Sequence, residues 1–302
     1  MSDLSTARDT EATRLLLEVT VSRSRRVRDR LATWWMYGSF VVVVIPLGFI
    51  LFYVVQKGLP ELLTRGWFTE DIPAVSRKPG GGMAPAIVGT LVITLGASLM
   101  AVPLGILGAI YLHEYGGGGR LSRLIRFMAD VMTGVPSIVM GLFIFTVFTL
   151  RFGLMGFGGA LALACLMLPI VIRSTEEMLR LVPDELRQGS YALGNRKWRT
   201  IVTVVLPAAL GGIVSGVMLA VARAAGETAP LIFTIGAARK INPNLFDGPN
   251  TALSMQIFSN AQTPYAAAQA RAWGAALTLV GLVFLLTVIA RIVSARFSLK
   301  HA

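Results

Sequence analysis

Six runs without a charged residue divide this sequence, at 34–55, 83–112, 131–150, 152–172, 200–222 and 272–290. A membrane-spanning helix needs about 20 mainly apolar residues at 1.5 Å each, and each run meets that length. Backbone groups in lipid must be satisfied within the chain, which selects helices for such runs. Charged residues make up 15% of the chain and hydrophobic ones 54%, whereas a soluble domain carries roughly 25% charged residues. The expected fold is therefore an all-α integral membrane protein with six transmembrane helices, at about 34–55, 84–112, 130–150, 154–173, 208–236 and 272–292. The fifth is placed later than its uncharged run because Pro207 follows an amphipathic region. It thereby encloses Arg223 and Glu227. For any single run, a buried or re-entrant helix is the competing reading.

The net charge of +12 raises the question of nucleic acid, and its distribution answers it. With both termini cytoplasmic, the inside segments hold 19 Lys and Arg and the outside segments 8, with Arg223 inside a span. That bias is the positive-inside pattern, so both termini are expected to be cytoplasmic. The chain then reads as a basic tail over 1–33, a transmembrane domain over 34–296 and a short tail over 297–302. Arg23, Arg25, Arg26, Arg28 and Arg30 read as a topology anchor in contact with membrane lipid, not as a nucleic-acid site. The first run is too long for a signal-peptide core and is expected to be retained. Cys165 is the sole cysteine, so it makes no intrachain disulfide and reads as a small apolar residue.

Between the spans, Pro60, Pro73 and Pro79-Gly80-Gly81-Gly82 exclude a long helix, and that loop is expected to be exposed outside. The glycine run 116–119 is followed by Arg120-Leu121-Ser122, not by Gly-Lys-Ser/Thr, so it is no phosphate loop, and no Walker A pattern occurs elsewhere. The only histidines are His113 and His301; no metal cluster and no catalytic centre is expected. Gly212 and Gly216 form a small-xxx-small pair that lets helices approach closely.

The longest inside connection, 176–206, reads as two short helices. One follows Pro183 and is broken at Gly194, a C′ glycine. The other runs from Lys197 to Val205 and is stopped by Pro207. An elbow of this kind is a handle for a partner protein; an amphipathic loop lying on the membrane is the alternative. Its pattern resembles the loop Glu-Ala-Ala-x3-Gly-x9-Ile-x-Leu-Pro of permeases of binding-protein-dependent ABC importers. Gly194, Val204, Leu206 and Pro207 fall on the pattern, while Gln188-Gly189-Ser190 stands where that family has Glu-Ala-Ala. The run 222–234, Ala-Arg-Ala-Ala-Gly-Glu-Thr-Ala-Pro-Leu-Ile-Phe-Thr, is similar to the signature of the PstA-type permeases of phosphate-specific importers. Gly134-Val135-Pro136-Ser137 and Tyr111-Leu112-His113-Glu114-Tyr115 resemble the same family.

The resemblance implies an ABC importer type I permease fold in the cell inner membrane and inorganic phosphate as substrate. It also implies several partners: a homologous permease subunit in a heterodimer, two ATPase subunits that use ATP and Mg, and an extracytoplasmic phosphate-binding protein on loops 57–82 and 237–271. No cofactor is expected on this chain itself. The loop contacting the ATPase would comprise Gln188, Gly189, Ser190, Leu193, Gly194, Trp198, Leu206 and Pro207. Molybdate or sulfate as substrate remains a rival that physics alone does not exclude. An ion-coupled secondary transporter is a more distant one, since Glu227 is the only acid deep within a span.

Arg223 and Glu227 are four residues apart and would share one helix face. A charge at the bilayer centre costs about 2.5–3.5 kcal/mol, so both are expected to face the bundle interior and a polar path. Arg223 would offer a tetrahedral oxyanion its multi-donor fork, with Glu227 as the counter-charge that tempers it. Arg173 is a second basic candidate, with snorkelling at the cytoplasmic boundary as its competing reading, and Thr228 and Ser137 are candidate further donors, with hydrogen bonds to their own backbone as theirs. A purely structural ion pair is the competing reading, and it predicts misassembly when either residue is replaced.

Overall fold

The computed structural model describes residues 23–298, with side chains over 24–292. The first 22 residues of the basic tail and His301 lie outside that range. The chain divides into two units, Met1–Tyr53 and Val54–Ala302. The described part of the first unit belongs to helix α1 (Arg23–Leu62), whose residues 34–53 are apolar almost without interruption and exposed on every side. A helix apolar all round is what lipid solvates.

The second unit contains α2 (Ala84–Tyr115), α3 (Arg120–Gly134), α4 (Ser137–Phe152), α5 (Gly156–Arg180), α6 (Asp184–Ala192), α7 (Lys197–Gly226), α8 (Ala229–Thr234), α9 (Leu253–Ala261) and α10 (Ala266–Ser298). Among the described residues, five helices are long and apolar enough to cross a membrane, and the bent pair α3–α4 makes a sixth if counted as one span. The fold is thus all-helical and membrane-spanning.

Its core is the contact of α2, α5 and α7. Ile93, Ala97 and Ala101 of α2 meet Ala160, Leu163, Met167 and Val171 of α5, and Ile213, Val217 and Ala220 of α7 close the third side. Small residues let these backbones approach. A Cβ on Gly105 would lie 2.6 Å from Val171 Cγ1. Gly212 and Gly216 find their partner in α5, against Met178 and Ser174. In lipid, such packing replaces the hydrophobic effect as the force between helices.

Four features differ from the sequence expectation. The third span is bent: α3 is an amphipathic helix, and α4 leaves it at 107°. Pro136 holds Val135 extended (φ −72, ψ 125) and so stops α3 at Gly134. The fourth span does not end at 173 but continues helically to Arg180. A charged residue does not by itself end a helix, and the buried Glu176 is held by Arg126 of α3 at 2.8 Å. Pro207 does not stop a helix, because Lys197–Gly226 is continuous. A π turn over Ile201–Val205 ends two residues before Pro207, and a widened turn is where a helix tolerates a residue with no N–H. Finally, the 63–82 loop is anchored as well as exposed. Trp67 is fully buried, donates from Nε1 to Thr278 Oγ1 at 3.0 Å, and packs with Ile72, Met83 and Leu253. Arg271 donates to Ser76 O and Lys78 O, each at 2.7 Å.

Candidate functional site

The fifth predicted span, 208–236, is broken where its charges lie. α7 ends at Gly226, Glu227 turns extended (φ −68, ψ 133), and the chain resumes as α8 at Ala229. Pro230 explains the break, since its ring would collide with the carbonyl of Gly226 in a continuous helix and it has no N–H to donate. Glu227 is held through both its main-chain groups. Glu227 N donates to Ala224 O at 3.1 Å, and Ser254 Oγ donates to Glu227 O at 2.8 Å. Pro230 itself packs on Gly141 of α4, where a Cβ would lie 2.5 Å from Pro230 Cα.

Arg223 Nε lies 3.7 Å from Glu227 Oε1, an ion pair too long for a hydrogen bond. The Glu227 side chain is 19% exposed and that of Arg223 is 68% exposed. Glu227 is thus mostly covered within this chain, whereas Arg223 lies on its surface. The reason is the phase of α7. Ala220 and Ala224 pack inward, which turns Ser215, Leu219 and Arg223 out along one exposed stripe. Thr228 sits half-buried in the break, next to Glu227.

The other two path candidates are not brought into contact with this pair. Arg173 is exposed on α5 and forms an ion pair with Asp130 of α3. Its neighbour Ser174 packs against Gly216, seven residues and so about 10 Å along α7 from Arg223. Ser137 opens α4 and is half-buried.

The elbow forms as two helical arms around Gly194, whose φ of +80 places it in the left-handed region. Gly194 N donates to Tyr191 O at 2.9 Å and Asn195 N to Ser190 O at 3.2 Å, closing the end of α6. Gln188, Gly189, Leu193, Gly194 and Trp198 are exposed; Leu193 is 84% and Trp198 59% exposed. With Leu181 and Tyr191 also open, this is an apolar surface suited to a protein partner. Ser190 points the other way. It is buried, its Oγ is 2.9 Å from Thr200 Oγ1, and it accepts from Asn195 Nδ2 at 3.2 Å. The departure from Glu-Ala-Ala therefore places at Ser190 a hydroxyl that ties the two arms of the elbow together. Leu206 and Pro207 are half-buried within α7 and belong to its shaft.

Sequence reasoning missed the inward side of the elbow. There Arg187 is only 9% exposed and pairs with Glu114 of α2. Lys197 donates to Glu114 O and lies 4.9 Å from the Tyr115 ring centroid. The one available signal was Arg187 itself, a basic residue directly before the elbow motif, and its partner lies 73 residues away.

Membrane-length helices around a close-packed core, one of them broken beside an exposed arginine, define a multi-pass membrane protein. Residues 101–299 match the binding-protein-dependent transport system inner membrane component family, and the chain belongs to that family. It is 47% identical over 259 residues, 85% of each chain, to "Phosphate transport system permease protein PstA 1" of Mycobacterium tuberculosis (strain CDC 1551 / Oshkosh). It is 41% identical to "Phosphate transport system permease protein PstA" of Yersinia pestis, over 90% of this chain and 92% of that one. Among solved structures, a chain of the inward-facing MetNI methionine ABC transporter shares the fold. It aligns at a TM-score of 0.55 and 18% identity, covering 70% of this chain and 93% of that one.

Proposed function

We propose that this chain is one permease half of an ATP-driven importer of inorganic phosphate. The observation that carries this reading is Arg223, a guanidinium on the outer face of a broken span, held to Glu227 at 3.7 Å and 68% exposed. A charge facing lipid at this depth is costly, so the face is one that a second subunit and a polar path complete. At 3.7 Å the pair makes no direct hydrogen bond, so an arriving oxyanion can take the guanidinium donors of Arg223 without breaking one to Glu227. The break interrupts the helix beside Arg223, and discontinuous helices of this kind surround the substrate in many transporters. The names of the relatives support phosphate as the anion.

Membership of the family supports the following partners. A homologous permease faces the Arg223 stripe. Two ATPase subunits, which bind the ATP and Mg, seat on the elbows. A phosphate-binding protein docks on loops 57–82 and 237–271. This chain supplies the path and the lever and hydrolyses nothing. Arg173 with Asp130 is a second basic station nearer the elbow, and Thr228 and Ser137 are auxiliary donors. The test is ATPase activity of the reconstituted complex with and without loaded binding protein. Stimulation by phosphate and not by sulfate or molybdate is expected. Equal stimulation by either of the other oxyanions would reject phosphate as the dedicated substrate.

A further inference from the structure

The guanidinium of Arg187 joins three elements at one point. Nε and Nη2 donate to Glu114 Oε1 at 3.2 and 3.1 Å, at the end of α2. Nη1 donates to Val182 O at 2.7 Å and to Asp184 Oδ1 at 3.0 Å. Nη2 also donates to Leu179 O, in the last turn of α5, at 2.9 Å, and lies 3.3 Å from His113 Nε2. Every nitrogen of the group is thus engaged, and the Glu114 side chain is just 6% exposed.

The end of α2 is built to be gripped. Its last turn, Tyr111–Tyr115, is π-helical, and a widened turn leaves carbonyls without the usual ladder partner. Arg126 of α3 donates from Nη2 to Leu112 O at 3.0 Å, and Lys197 at the start of α7 donates to Glu114 O. Basic side chains from α3, α6 and α7 therefore converge on one turn of α2, the helix that forms one side of the α2–α5–α7 core. The opposite face of the elbow, with Leu193 and Trp198, is open.

We infer that Arg187 is the positioning residue that locks the elbow to the end of α2, so that α6 and α2 move as one body. This rests on the proposed function, in which the elbow receives the ATPase stroke. Without the lock, α6 would tilt about the Gly194 turn while α2 stays in place, and hydrolysis would proceed with less transport. Lysine is no substitute, because one ammonium cannot replace a planar fork that reaches three elements.

The measurement is phosphate transported per ATP hydrolysed in proteoliposomes of the full complex, normalised to assembled complex. Arg187→Gln and Arg187→Lys are expected to keep binding-protein-independent hydrolysis within twofold of the parent and to lower the transport ratio about tenfold. Glu114→Gln retains an acceptor oxygen and loses the charge, so a two- to threefold fall is expected. A residue that serves only folding would lower the amount of complex and leave the ratio of what assembles unchanged. Parental ratios in the assembled Arg187 variants would overturn the inference. Should neither Arg187 variant assemble, Glu114→Gln decides, and a parental ratio there overturns it. Failure of the proposed function appears separately, as a parent complex with no phosphate-dependent hydrolysis.

Discussion

Arg223 and Glu227 differ in surroundings more than their spacing suggests. Glu227 is mostly covered and its carbonyl is held by Ser254, whereas Arg223 projects outward. Removing an arginine that makes a charged hydrogen bond loses about 1.5–3 kcal/mol, or about ten- to a hundredfold. Arg223→Gln should therefore lower initial rates of labelled phosphate uptake by that factor, with the complex still assembling in normal yield. Loss of assembly in place of loss of uptake would identify the pair as structural. Glu227→Gln should act in the opposite sense on binding. With no counter-charge, Arg223 retains the anion longer, so the KM for uptake falls several-fold and the maximal rate falls with it. The proximity of the two residues was legible in the sequence from their four-residue spacing. Their unequal exposure was not, because the phase of α7 depends on which alanines pack inward.

The break, the elbow turn and the α5–α7 contact are properties of elements. Proline disfavours a helix interior by about 3 kcal/mol relative to alanine, so Pro230→Ala should let α7 continue toward α8. The expected result is a complex with equal or higher Tm and little phosphate uptake; full uptake would show that the break is incidental. At the elbow, Gly194→Val forces a β-branched residue into the left-handed region at about 1–2 kcal/mol. Less ATPase should then copurify with the complex, while the permease pair remains intact. In the α5–α7 contact, a side chain at Gly216 meets Ser174 directly. Gly216→Leu should lower stability by about 1–3 kcal/mol, measured as a lower Tm in detergent. The sequence pointed to Gly216 as a packing position and to Gly194 as a turn. It misplaced the consequence of Pro207, since a π turn in the preceding five residues is invisible to a rule that reads proline as a helix stop.

At the scale of the whole molecule, the second unit is held at two separate levels. One is the polar convergence of Arg126, Arg187 and Lys197 on the last turn of α2. The other is the cluster around Trp67, where Arg271 and Thr278 of α10 hold the 63–82 loop. Trp67→Ala removes a fully buried side chain and should cost about 3–5 kcal/mol. The 73–82 segment should then become susceptible to limited proteolysis in the purified complex, where the parent is resistant. Persistent resistance would mean that Arg271 alone suffices to anchor the loop.

What the sequence determined by itself follows from the cost of polar groups in lipid. Runs of about 20 apolar residues must be helices, lone charges within them must be exceptional, and basic residues collect on one side. The membrane class and the turn at Gly194 were therefore readable one residue after another. Tertiary structure decided everything that depends on residues far apart in the chain: the grip of Arg187 on Glu114, the burial of Trp67 under α10 and the inward turn of Ser190. It also decided the outward turn of Arg223. Local periodicity records how a helix repeats, but not which of its faces a distant helix will cover.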